Sequence, residues 1–195
     1  MRALLLLVAL LGPLEGLDHA VAGWVQAHRR PVLETPMWAA SYYARPVVVA
    51  GGLLVVLAVD LATGGGWATL RLAAVGLAGV NLSVEVLKRA VHRQRPDGEH
   101  NPRNASFPSS HAANAFVLAS VLSLRWRRAA PLFFALALWV AFSRMYLNRH
   151  FLSDVVAGAL LGMAFSWAAA RWRPLRPPRV SGGKRRGALV ESATV

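Results

Sequence analysis

Three short polar segments of this chain carry residue types and spacings that suit chemistry on a phosphate. Residues 88–96 read Lys-Arg-Ala-Val-His-Arg-Gln-Arg-Pro, residues 108–111 read Pro-Ser-Ser-His, and residues 143–154 read Ser-Arg-Met-Tyr-Leu-Asn-Arg-His-Phe-Leu-Ser-Asp. Lys88 and Arg95 are seven positions apart, so a continuing helix would give them one face, about 10 Å apart along the axis. Pro96 biases Arg95 away from helix and predicts a boundary there. Two fixed cations suit a phosphate, which an arginine grips bidentately. Pro108, Ser109, Ser110 and His111 read as a helix start. Ser109 or Ser110 would cap it, and the N–H groups of the first turn would form an anion site beside His111. His150 and Asp154 are four apart, hence on one helix face. Such a carboxylate accepts from one imidazole nitrogen and leaves the other as a nucleophile. Arg144 adds a third cation. Singly, each segment reads as well as a basic cluster, an interfacial histidine or a polar helix cap.

The elements that must position these residues are apolar. Charge-free blocks run over residues 3–11, 46–59, 72–84, 112–124, 129–143 and 155–170. None alone reaches the roughly 20 residues that cross a bilayer as a helix. Flanking arginines and lysines that snorkel to the interface extend each by about a turn. The block Pro-Val-Val-Val-Ala-Gly-Gly-Leu-Leu-Val-Val-Leu-Ala-Val has no polar face at the helical period, the mark of a helix buried all round. One such helix fits the centre of a soluble protein, but a series of them leaves nothing to face water. The expected fold class is therefore all-α, a polytopic membrane bundle of about six transmembrane helices. Asn81, Glu85 and Lys88 fall on one face of the third span, and Glu85 is expected to pair with Lys88. Residues 17–36 are amphipathic and fit a helix lying at the membrane surface. The first block, with Arg2 before a short apolar run, resembles a signal peptide, but no Ala-x-Ala cleavage site follows; a short first span or signal anchor is favoured over a cleaved signal. Gly158 and Gly162 form a small-x3-small pattern that suits close helix packing inside the bundle.

Composition narrows the classes further. The 195 residues are 55% hydrophobic, and Lys+Arg outnumber Asp+Glu 22 to 9. Disorder is excluded by the hydrophobicity. The absence of cysteine excludes disulfides, thiol catalysis and cysteine zinc sites. Domain organisation reads as a membrane domain over residues 1–172 and a disordered basic cytoplasmic tail over residues 173–195. With the C-terminus cytoplasmic, the inner face holds 12 basic residues and the outer face 10. Removing Lys88, Arg95 and Arg144, which a phosphate site would demand, leaves 7 outside and restores the positive-inside bias.

Taken together, Lys-x6-Arg-Pro at residues 88–96, Pro-Ser-x-His at 108–111 and Ser-Arg-x5-His-x3-Asp at 143–154 resemble the tripartite signature of the type 2 phosphatidic acid phosphatase (PAP2) superfamily. Ser110 stands where that family usually has glycine. The resemblance implies a phosphoryl transfer with His150 as nucleophile, His111 as general acid and then base, and Asp154 orienting His150. Lys88, Arg95, Ser109, Ser110 and Arg144 would bind the phosphate. Three cations can supply the electrostatic work often given to Mg²⁺, so no metal or cofactor is expected. The remaining histidines, His19, His28, His92 and His100, show no ligand spacing.

The expected function is metal-independent hydrolysis of a phosphomonoester or pyrophosphate on a membrane lipid, through a phosphohistidine. Undecaprenyl pyrophosphate, phosphatidic acid and phosphatidylglycerophosphate are candidate substrates, the first favoured by family analogy. The expected location is the cell inner membrane, with the site on the extracytoplasmic face. Expected partners are the lipid phosphate and membrane lipids, with no nucleic acid; oligomeric state is left open. Two other readings stand beside this one: a non-catalytic membrane binder or transporter of an anion or lipid phosphate, and, more remotely, a basic polyanion-binding protein. The second would need a basic stripe on a soluble surface.

Overall fold

The computed structural model describes residues 2–43, 45–63, 67–99 and 105–172. The expected basic tail over residues 173–195 and His100 lie outside the described residues. Within them the chain is all helical: α1 Arg2–Ala27, α2 Pro31–Tyr43, α3 Pro46–Ala62, α4 Ala68–Val91, α5 Ser110–Arg125, a single 3-10 turn Arg127–Ala129, α6 Ala130–Tyr146 and α7 Leu152–Arg171. The apolar blocks from residue 46 onward become α3 to α7 in order. The helix starts follow local chemistry, with Pro46 in the first turn of α3, a proline in the first turn of α6 and Ser109 capping α5. Proline suits the first turn because the N–H it lacks has no acceptor there.

The chain is an integral membrane protein. Ala68–Val91, Arg127–Tyr146 and Leu152–Arg171 are long and apolar enough to cross a membrane. Many large apolar side chains point away from the interior, among them Leu54, Leu82, Leu138, Leu160 and Trp167. An aqueous protein could not afford that many, whereas lipid tails accept them. Trp67, Trp167 and Trp172 are all exposed and lie where α4 begins and α7 ends, as an interfacial belt requires.

α5 is the central post of the bundle. Its Ala113, Val117 and Val121 pack with Leu72, Val80 and Val84 of α4 and Ala169 of α7. Its opposite flank packs Ala112, Phe116 and Ala119 against Ala137 and Ala141 of α6 and Val155 and Ala159 of α7. Small residues dominate because α5 and α7 approach closely. A Cβ on Gly158 would lie 2.4 Å from the Ser109 carbonyl oxygen, and one on Gly162 would lie 2.3 Å from that of Ala113. The small-x3-small pattern therefore serves packing within the bundle, as expected.

Two local expectations change. Residues 17–36 are not one surface helix: α1 continues to Ala27 and α2 begins at Pro31. Pro31 accounts for the break, since it disfavours helix at Arg30 and is itself at home in a first turn. The apolar first block is thus continuous with the segment that follows it. Glu85 pairs with Arg89 at 2.8 Å rather than with Lys88, because position 89 reaches out of the bundle with Glu85 while Lys88 is buried within it.

Candidate active site

All three polar segments meet at one end of the bundle, where α4 and α6 end and α5 and α7 begin. The first helix boundary falls earlier than Pro96 alone implies. α4 stops at Val91, and His92 takes a left-handed conformation with φ 50°, so Arg95 projects from a loop. Its buried guanidinium donates from Nη1 to the Arg149 carbonyl oxygen at 3.2 Å. Burial, then the neighbouring Arg149, push the Arg95 pKa down from its ordinary value, against the pull of Glu99 and Asp97. Lys88 is buried on the last turn of α4 and Arg144 on the last turn of α6. Lys88 lies within electrostatic reach of Arg95, Arg144 and Asp154. Arg144 donates from Nη1 to Ser41 Oγ of α2. Its Nε is buried with no hydrogen-bond partner among the described residues.

Ser109 is fully buried and its Oγ accepts from Ala112 N, capping α5. Its own N–H donates to the Asp154 carbonyl oxygen at 3.0 Å, which ties the start of α5 to the first turn of α7. Ser110 and His111 open α5, where first-turn N–H groups have no acceptor within the helix. His111 lies within electrostatic reach of Arg144, His150, Lys88 and Arg95. The structure thus places Lys88, Arg95, Ser109, His111, Arg144, His150 and Asp154 at one end of the bundle, with Ser110 as the first residue of α5.

His150 sits in the short connection between α6 and α7, entered through Asn148 at φ 56°. It is 2% exposed. Nδ1 lies 2.8 Å from the Ser106 carbonyl oxygen and 3.7 Å from Asp154 Oδ2. The shorter contact is the hydrogen bond; the longer is a charge contact. Asp154 therefore acts on His150 less directly than its spacing suggests, because its oxygens are already engaged. Oδ2 accepts from Ser106 Oγ at 2.5 Å and from Phe151 N at 2.8 Å. Oδ1 accepts from Arg93 Nη1 at 2.8 Å. Donation of Nδ1–H to Ser106 leaves Nε2 with its lone pair. Burial pushes the His150 pKa down to about 4, opposed by Asp154 and reinforced by Arg144 and Arg95.

Several residues at this site were not singled out by spacing. Asp18 of α1 is buried and accepts from Arg93 Nη2 at 2.7 Å and from Ser153 N at 2.8 Å. Burial opposes the Arg93 charge, but Asp154 and Asp18 more than offset it and raise its pKa. Arg149 pairs with Asp97 at 2.6 Å. Burial works against the Asp97 charge, yet the Glu99 N–H and Arg149 outweigh it and hold its pKa low. Ser41 and Ser106 complete the set. The signal for Asp18 was an acid between Leu17 and His19, with Glu15 close by, which by itself names no partner.

The model of the PAP2 superfamily matches residues 69–178, more than half of the 195. A lipid A 1-phosphatase of Rhizobium johnstonii is 33% identical over 101 residues, 46% of this chain and 41% of that protein. A decaprenylphosphoryl-5-phosphoribose phosphatase of Mycobacterium tuberculosis is 37% identical over 83 residues, 40% of this chain and 46% of that protein. The chain thus spans less than half the length of these curated relatives. The crystal structure of a transmembrane PAP2-type phosphatidylglycerolphosphate phosphatase from Bacillus subtilis superposes with a TM-score of 0.76 at 23% identity, covering 91% of this chain and 96% of that one. That likeness carries the fold, and the region matched by the family model holds all three polar segments. By fold, matched region and signature, the chain belongs to the PAP2 superfamily.

Proposed function

We propose that this protein hydrolyses a phosphate ester or pyrophosphate on a membrane lipid through a phosphohistidine. The observation that carries the reading is the convergence of three buried cations, Lys88, Arg95 and Arg144, around His111 and His150. Burying like charges together is unfavourable without an anion to hold. A phosphoryl oxygen would accept from the buried, unpartnered Nε of Arg144.

The chemistry follows from the positions. Nε2 of His150 attacks phosphorus, and the bond from phosphorus to the lipid oxygen breaks. His111 gives its proton to the leaving oxygen. Water then attacks phosphorus while His111 takes back a proton, and the nitrogen–phosphorus bond breaks to release phosphate. Lys88, Arg95, Arg144 and the N–H groups of the α5 first turn stabilise charge on the equatorial oxygens. Ser106 fixes the His150 tautomer, and Asp154 balances the imidazolium that forms. Each step uses this chain's own side chains, and none calls on a metal.

The membrane setting supports a lipid-anchored substrate. Undecaprenyl pyrophosphate, phosphatidic acid and phosphatidylglycerophosphate remain in the reading, and the relatives add lipid A phosphates and phosphorylated polyprenyl sugars. The basic residues Arg71, Arg125, Arg127, Arg128 and Arg171 lie at the end opposite the site, which supports an extracytoplasmic active site and a cytoplasmic C-terminus. The test is phosphate release by the purified chain from a panel of these lipids, with EDTA present. Release that vanishes in His150→Ala is the expected result. Lipid-phosphate binding without any release from the panel would overturn the reading in favour of a membrane anion binder.

A further inference from the structure

We propose that Asp18 is a positioning residue for phosphoryl transfer, which holds Arg93 so that a net negative charge remains behind His150. The inference rests on the phosphatase reading above. Asp18 lies on α1, outside the stretch that matches the family model, and 1% of its side chain is exposed. It makes two kinds of contact. Toward α7, its Oδ1 accepts from Ser153 N at 2.8 Å and its Oδ2 from Ser153 Oγ at 2.5 Å. Toward the segment after α4, its Oδ2 accepts from Arg93 Nη2 at 2.7 Å. The other nitrogen of that guanidinium, Nη1, donates to Asp154 Oδ1 at 2.8 Å and to Ser153 Oγ at 2.6 Å. The guanidinium also lies 4.4 Å from the centroid of the Phe151 ring, which limits its rotation.

The consequence is a matter of charge. Asp154 and Arg93 alone would be a neutral, fully engaged pair. Such a pair has no net charge to offer the positive imidazole that forms when His150 Nε2 bonds phosphorus. Asp18 shares the guanidinium, and the cluster of two carboxylates and one arginine is left at one net negative charge. That charge faces the imidazole through Asp154 Oδ2, 3.7 Å from Nδ1. Buried sites screen such charges weakly, so the balance counts in the transition state. Asp18 touches neither histidine nor the reacting phosphorus, and it acts through Arg93 and Asp154.

The test is a two-residue cycle on the full chain in detergent, with a lipid phosphate that the wild type turns over. Asp18→Asn is expected to lower kcat about 10- to 100-fold, the range for groups that orient a reacting one, with KM changed by less than about twofold. Asp18→Asn in the Arg93→Gln background restores one net negative charge, and there it is expected to cost no activity. An anchoring role for Asp18 alone would instead lower activity equally in both backgrounds, which overturns the proposal. If Asp18→Asn alone does not fold, Arg93→Gln and the double variant still read the same dependence. Wild-type kcat in Asp18→Asn, or a loss confined to KM, overturns it as well. No turnover by the wild type would overturn the phosphatase reading together with this one.

Discussion

The proposed roles of His150 and His111 differ as their surroundings do. His150 is buried against the Ser106 carbonyl, while His111 is half-buried in the first turn of α5. His150→Ala should reduce turnover by roughly 10⁴-fold or more, as loss of a catalytic nucleophile does. His111→Asn should cost roughly 10²- to 10⁴-fold, the usual worth of a general acid or base. With a substrate whose leaving group needs no proton, the same variant should accumulate phosphoenzyme, since hydrolysis still needs a base. Burial lowers the His150 pKa to about 4 from its ordinary 6.5, and two pH effects follow. The His150 imidazole stays neutral in the free protein, so the acid limb of kcat/KM that reports His150 should fall well below pH 6. Folding favours the neutral ring, so its contribution to stability is complete above pH 6.5 and is lost as pH falls toward 4. That loss is on the order of 3 kcal/mol. Thermal melting between pH 7 and pH 4 checks it, and His150→Gln should flatten the dependence.

At the scale of elements, the close contact of α5 and α7 sets the site's precision. The Asp154 carbonyl accepts the Ser109 N–H, and Gly158 lets the two backbones approach where a Cβ would lie 2.4 Å from the Ser109 oxygen. Gly158→Ala should destabilise the protein by about 1–3 kcal/mol, the usual cost of forcing atoms into a packed interior. It should also lower kcat, by moving the start of α5 away from His150. Gly23→Ala makes the contrast: no atom lies within 4 Å of its added Cβ, so it should leave activity intact and favour the helix by up to about 1 kcal/mol. Much of this element structure was legible in the sequence. The apolar blocks gave the helices, Ser109 gave the α5 cap, and the glycine pair gave the close packing. The break at Pro31 was legible too, but the amphipathic pattern across residues 17–36 masked it. Asp18, Ser41 and Ser106 were not legible as site residues. Each reaches the site through tertiary contact, and no spacing along the chain links them to the polar segments.

For the whole molecule, the excess of basic residues separates into two roles. Arg125 pairs at 2.7 Å with the buried Asp60 at the end opposite the site, and with Arg127, Arg128 and Arg171 it fits an orienting set. Lys88, Arg95 and Arg144 gather, buried, at the other end, where the proposed phosphate would sit. The chain has no cysteine, so single cysteines report topology cleanly. A membrane-impermeant maleimide should label His92→Cys in intact cells, and should label Arg128→Cys only after permeabilisation. The reverse pattern would contradict the proposed orientation. A phosphoryl group carried on His150 can be trapped directly. The purified protein is given a lipid phosphate labelled at phosphorus, with EDTA present, and quenched in base. The expected result is label on a peptide containing His150 that is stable to base, lost in acid and absent from His150→Ala. Turnover without such label, or label retained in His150→Ala, would contradict the phosphohistidine.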